Sequence, residues 1–297
     1  MTNIYMTRES GNPAGGGHMK KGISIWAFPS GMDVASCIRM AKETGFDGIE
    51  LALNESGQLD LDASEDELRG YRQVADAAGI SVTSLATGLY WKYSLTASDE
   101  TIREKAKNVV RKQLDAASTL GVDAILVVPG TVGADFVSGS EVVPYDIAYD
   151  RSLSALRELA PYAASRKVRI GVENVWNKFL LSPLEMRNFI DAIDSPWVGV
   201  YFDVGNVLAT GYPEHWIGIL GKRICRIHVK DFRKSVGTLD GFVDLLSGDV
   251  DFPVVMKALG NIGYDGWMTA EVFPYGRNPE MTAWQASKAM DAILGRN

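Results

Sequence analysis

The stretch VRIGVENVWNKFLLSPLEMRNFIDAIDSPWVGVYFDVGN, residues 168–206, holds two apolar, β-branched runs with a helical pattern between them. Val168–Val172 and Val198–Phe202 have the length and composition of buried strands. Pro183 stands at a first helical position, where a missing N–H removes no bond, and the pattern runs to Ile193. The unit is therefore strand, helix, strand, and it recurs outward in both directions. Further runs are Ile23–Phe28, Gly48–Leu53, Ser81–Ala86, Ala124–Val128, Ile224–Val229 and Trp267–Val272. Helical patterns fill the gaps at Asp33–Thr44, Ser64–Ala78, Ser98–Leu120, Asp146–Arg166, Pro213–Leu220, Phe252–Asn261 and Pro279–Leu294. Ser64-x-x-Glu67 is a capping-box pattern, Ser98-x-x-Thr101 brackets another helix start, and Gly45, Gly79 and Gly121 follow helix ends. Eight alternations in 297 residues predict an α/β protein, a single (β/α)8 TIM barrel, a fold that typically takes ~250 residues. An open doubly wound sheet is the competing architecture. It lacks support, because no Gly-x-Gly-x-x-Gly follows the first strand.

Composition narrows the function. The net charge is −7 and the pI is about 5.1, which disfavours nucleic acid and anionic membrane surfaces as partners. Mean hydropathy is −0.03, and no apolar run approaches the ~18 residues of a membrane span. Two cysteines, Cys37 and Cys225, cannot make a disulfide framework. These traits point to a soluble, cytoplasmic globular protein. Residues 1–18 are rich in Gly, Ser, Asn and Thr without an apolar period and read as a tag or linker, leaving 19–297 as the barrel. With His18 set aside, only His215 and His228 remain for chemistry. That excludes sites built from several histidines, including a three-metal nuclease site.

In such a barrel the chemistry sits at the carboxyl ends of the strands. The last four runs end in VEN (172–174), FDV (202–204), IHVKD (227–231) and AEVF (270–273). Each delivers one metal-competent side chain at a similar height: Glu173, Asp203, His228 and Glu271. A carboxylate at the end of an apolar strand needs its charge compensated, and three converging carboxylates repel one another. One divalent ion resolves both problems. Three oxygens and one imidazole favour Mn²⁺, with Mg²⁺, Co²⁺ and Zn²⁺ also compatible. Strands five and eight lie roughly 135° apart around an eight-stranded barrel, so Glu173 and Glu271 are expected to face each other across the mouth. Two carboxylates on opposite faces of a carbon suit an epimerase, one taking a proton and the other returning one. The metal would polarise the neighbouring carbonyl and stabilise an enediolate.

These segments, with GFDGIEL (45–51), YFDVGN (201–206) and GDVDF (248–252), resemble the xylose-isomerase-like barrel superfamily. The likeness is greatest to its sugar 3-epimerases, those of tagatose and allulose and those of ribulose and xylulose phosphates. The resemblance runs over residues 20–297. It implies that Glu173, Asp203, His228 and Glu271 bind one Mn²⁺-like ion and that both glutamates act as acid and base. It also implies that Arg233 and Asn206, three residues after Asp203, contact the sugar. Free-ketose epimerases usually carry histidine where Asn206 stands, and an acid within the stretch that here reads NVWNKF (174–179). Both departures lean toward a phosphorylated or otherwise modified ketose. The expected activity is inversion at C3 of a ketose or ketose phosphate. Aldose–ketose or inosose isomerases and 3-keto-glycoside epimerases or lyases use the same metal site. A barrel that has lost catalysis and serves as a binding subunit is the alternative outside enzymology.

Other residues complete the reading. Lys230 either meets a substrate phosphate or forms a salt bridge inside the barrel. Trp26 either stacks on a sugar or packs the rim. Glu50 either touches the sugar or pairs with Arg226. Cys225 should point away from the mouth if His228 points in. His215 reads as a surface residue. The long segments 130–145 and 232–251 are expected lids. A homo-oligomer, dimer or tetramer, is the expected assembly.

Overall fold

A computed structural model describes residues 19–296; the tag or linker expected at 1–18, His18 included, lies outside the described residues. Eight parallel strands close a barrel. They are β1 (Lys20–Ser24), β2 (Gly48–Ala52), β3 (Ser81–Ala86), β4 (Ala124–Val127), β5 (Arg169–Glu173), β6 (Val198–Asp203), β7 (Ile224–Val229) and β10 (Trp267–Ala270). Their order around the barrel is β1-β10-β7-β6-β5-β4-β3-β2. A two-stranded antiparallel piece, β8 (Asp231–Phe232) and β9 (Phe242–Val243), follows β7. The closed barrel expected from the alternating pattern is thus what forms.

The helices outside the barrel are α1 (Val34–Glu43), α2 (Glu65–Ala78), α3 (Glu100–Leu120), α4 (Tyr145–Arg166), α5 (Pro183–Ile193), α6 (Pro213–Leu220), α7 (Phe252–Asn261) and α8 (Met281–Ile293). Local chemistry fixes their ends. Ser64 and Glu67 make the reciprocal capping box at the start of α2. Gly79 and Gly121 end α2 and α3 in the left-handed conformation, at φ 66° and 74°. At the start of α3 the cap is Asp99, not the expected Ser98. Its carboxylate accepts from Thr101 N at 2.7 Å, while the Ser98 amide is taken by Glu141.

The first strand also departs from expectation. It runs over Lys20–Ser24, and Ile25–Ala27 form a 3₁₀ turn. The apolar run continues past the strand because Ser24 accepts from Trp26 N and turns the chain. The strand begins earlier because Lys21, only 2% exposed, is neutralised by Asp291 at 2.6 Å and hydrogen-bonds Ser287 on α8. A paired lysine in a strand looks like surface when its partner lies 270 residues away.

Isoleucine, leucine and valine from the strands pack outward against the helices, with Ile49, Leu85, Ile125, Ile170, Val200 and Ile227 at zero exposure. The alternate side chains face inward, and there the barrel is polar. Among the described residues no helix is long and apolar enough to cross a membrane.

Candidate metal centre

Strands β5, β6, β7 and β10 are four consecutive staves of the barrel. Glu173 and Asp203 are the last residues of β5 and β6, His228 lies in β7, and Glu271 follows β10 directly. The Glu271 amide still donates to Val229 O at 3.1 Å, so the ladder to β7 continues through it. One ligand atom from each of the four side chains falls within 4.8 Å of the others. All four residues are buried, Asp203 and His228 completely.

His228 is the pivot. Its Nδ1 lies 2.6 Å from Glu271 Oε2, 3.4 Å from Glu173 Oε1 and 4.0 Å from Asp203 Oδ2. Its Nε2 meets Glu50 Oε1 at 2.9 Å. β7 and β2 are not neighbours in the barrel, so this contact crosses the interior. Glu50 also accepts from Tyr201 OH at 2.5 Å and Ser84 Oγ at 2.8 Å. A carboxylate that takes Nε2–H leaves the Nδ1 lone pair facing the other three carboxylates, an arrangement common among metal-bound histidines. Glu50 is therefore not paired with Arg226, one of the two partners expected of it. Both its oxygens are engaged and it has no exposure. Arg226 instead bonds Thr83 O, Cys225 O and Asp123 lower in the barrel.

The electrostatics favour positive charge at this point. Burial opposes ionisation of the Glu50 carboxyl, but the His228 ring and the Tyr201 hydroxyl outweigh it and hold the group below the usual carboxylate range. Burial pushes the Glu173 and Asp203 carboxyls up. Burial also disfavours a charged His228, yet Glu50, Tyr201 and Glu271 drive its pKa well above the ordinary imidazole value. Three buried atoms, Asp203 Oδ2, His228 Nδ1 and Glu271 Oε2, make no hydrogen bond of acceptable geometry although they converge. Their short separations are ion-pair distances rather than aligned bonds. A hard donor set of three carboxylates and one imidazole, with unaligned atoms aimed at one place, fits a divalent cation.

The remaining expected residues sit at varied distances from this cluster. Lys230, the next inward position after His228 on the β7 side, places Nζ 3.0 Å from Asp203 Oδ2 and 2.9 Å from Glu271 Oε2. Asn206 is buried; its side chain donates to Asn174 O, and its amide N–H donates to Asp203 Oδ1 at 2.8 Å. Arg233 is exposed and donates to Ser247 O. Trp26 is half-buried on the 3₁₀ turn after β1. Cys225 is buried, with Sγ against Val200 O, and His215 is exposed.

Four contributors escaped the sequence reading. The Asn174 side chain brackets Asp203, donating to its carbonyl and accepting from its amide, both at 2.8 Å. Tyr201 and Ser84 complete the Glu50 cradle. Period-two alternation back from Asp203 was the available signal for Tyr201. Trp176 roofs the β8–β9 side, edge-on to Phe232 and tilted on Phe242.

Residues 38–292 match the sequence pattern of the family described as xylose isomerase-like TIM barrel. The chain is similar to a putative L-ribulose-5-phosphate 3-epimerase of Escherichia coli (strain K12), 26% identical over 272 residues, covering 86% of this chain and 89% of that one. It is also similar to the L-ribulose-5-phosphate 3-epimerase of Salmonella heidelberg (strain SL476), 24% identical over 93% of this chain and 94% of that one. Among solved structures, a D-psicose 3-epimerase crystallised in the presence of D-fructose superposes with a TM-score of 0.78 at 19% identity. The match covers 93% of this chain and 100% of that one, and at that identity it speaks for the fold.

Proposed function

The chain belongs to the xylose isomerase-like TIM barrel family, and on that premise we propose that it is a divalent-metal-dependent epimerase that inverts C3 of a ketose or ketose phosphate. The observation that carries this reading is the convergence of Glu173, Asp203, His228 and Glu271 within 4.8 Å at the carboxyl ends of four adjacent strands. The relatives named as L-ribulose-5-phosphate 3-epimerases support a phosphorylated pentulose as the first substrate to test.

The roles follow from placement. Asp203 and His228 come from the two inner staves and, with Glu173 and Glu271, would hold the ion, Mn²⁺ being the first choice for this donor set. When bound, the ion supplies Lewis-acid polarisation of a substrate carbonyl. Glu173 and Glu271 come from the two outer staves, so they flank whatever sits above the cluster. One takes the C3 proton, and the other returns a proton to the opposite face. Glu50 fixes the His228 ring through Nε2, and Asn174 fixes the backbone that carries Asp203.

Solvent-deuterium exchange followed by NMR tests the reading. The metal-loaded protein, given L-ribulose 5-phosphate and the corresponding free ketoses in D₂O, is expected to exchange the C3 proton of one of them and to form its C3 epimer. Exchange at C1 or C2 with C3 untouched would move the assignment to an aldose–ketose isomerase.

A further inference from the structure

We propose that Lys230 is a built-in competitor of the divalent ion, holding the same carboxylate oxygens that the ion needs. This rests on the metal-centre reading above. The ammonium sits 3.0 Å from Asp203 Oδ2 and 2.9 Å from Glu271 Oε2. Those two atoms, with His228 Nδ1, are the buried, unaligned atoms at the point of convergence. An ammonium and a divalent ion cannot share them at contact distance, since like charges a few Å apart repel strongly in a protein interior. Binding of the ion therefore moves Lys230 Nζ off both oxygens.

The surroundings determine where it goes. The Lys230 backbone is held from the β6 side, where the loop passes so close that a Cβ on Gly205 would lie 2.6 Å from Lys230 Cβ. It is held from the other side by Asp231, whose carboxylate accepts the amides of Phe232, Gly248 and Val250. Only the flexible stem is free to move. Beside it opens a cavity of about 290 Å³ lined by Lys230, Glu271, Phe242, Asp244 and Tyr275. Asp244 offers a carboxylate there, already accepting from Tyr275 OH at 2.9 Å. The ammonium rests 5.6 Å from the centre of the Phe242 ring, which lines the same cavity. Lys230 thus has two carboxylate stations, one at the centre and one at its rim, and the ion decides between them.

A competitor inside the site lowers affinity for every divalent ion, and removing its charge raises it. In an equilibrium competition with a chelating indicator, Lys230→Met is expected to bind Mn²⁺ at least about tenfold more tightly than the unmodified protein. Lys230→Arg, which keeps the charge, stays near the unmodified value. A lysine that merely braced the carboxylates would give the opposite sign, because its loss would splay the ligands. Lys230→Gln supplies the same reading if the methionine variant fails to fold. Equal or weaker Mn²⁺ binding in the folded neutral variants overturns the proposal while leaving the metal centre standing. Failure of the unmodified protein to bind Mn²⁺, Mg²⁺, Co²⁺ or Zn²⁺ removes both.

Discussion

Glu50 gathers three donors on two oxygens at a place without solvent, and that makes it the most exacting residue of the barrel interior. Glu50→Ala would leave the His228 Nε2–H without its acceptor and the Tyr201 and Ser84 hydroxyls, 3.1 Å apart, with only each other and Thr83, and is expected to destabilise the fold by about 3–5 kcal/mol in denaturant melts. Glu50→Gln keeps the shape but gives the ring a weaker and partly mismatched partner. Its expected effect is a loss of about 10–100-fold in metal affinity with the fold retained. Unchanged Mn²⁺ affinity in Glu50→Gln would show that ring orientation does not depend on this contact. At the glutamates the expectation differs. Glu173→Gln and Glu271→Gln each keep an oxygen that can ligate, but neither amide accepts a proton, so both abolish epimerisation. If the two serve opposite faces, one variant exchanges only the substrate epimer with D₂O and the other only the product epimer. Full activity in either sinks the division of labour.

Elements were legible where a boundary is written in local chemistry. α5, α6 and α7 each carry proline in the first turn and begin and end where the pattern places them. β1 was read late because its buried lysine is neutralised from the far end of the chain. The four cluster residues were legible because each closes an apolar run and the runs are adjacent staves. The partner of Glu50 was not. Which side chains meet across a barrel depends on shear and register, and register shifts occur at Ile49/Glu50 and at Val200/Tyr201, in the strands that bring Glu50 and Tyr201 together. No spacing in one sequence encodes those shifts. The long segment after β7 supplies the element-scale prediction. Asp231, 1% exposed, pins it by accepting three of its amides. Asp231→Ala leaves those amides unpaired at roughly 2–4 kcal/mol, and the segment 232–251 should become the first site of limited proteolysis. A cleavage pattern identical to that of the unmodified protein would place the anchor elsewhere.

At the scale of the whole molecule, the cluster joins half the barrel at one point. Its side chains come from β5, β6, β7 and the residue after β10, so a bound ion ties four of the eight staves together. These strands come together only in the closed barrel, which makes the unfolded chain a poor metal binder by comparison. Anything that binds the folded state alone stabilises it by mass action, by about 2.7 kcal/mol at a ligand concentration one hundred times Kd. For a domain of this length that corresponds to a rise in Tm of roughly 5 °C. Thermal melts with Mn²⁺ and with excess chelator should therefore differ by about that amount, reversibly. Asp203→Asn keeps the outline of the site but removes one ligand charge from the centre of the arc, and its Mn²⁺-dependent shift should be much smaller. The direction also bears on Lys230. Part of the ion's binding energy goes into displacing the ammonium, so the neutral Lys230 variants should start from a lower Tm in chelator, where three carboxylates face one another without the ammonium, and show the larger rise with Mn²⁺. A melt that ignores Mn²⁺, Mg²⁺, Co²⁺ and Zn²⁺ alike would mean that the convergence of these four side chains serves the barrel's own packing rather than a metal.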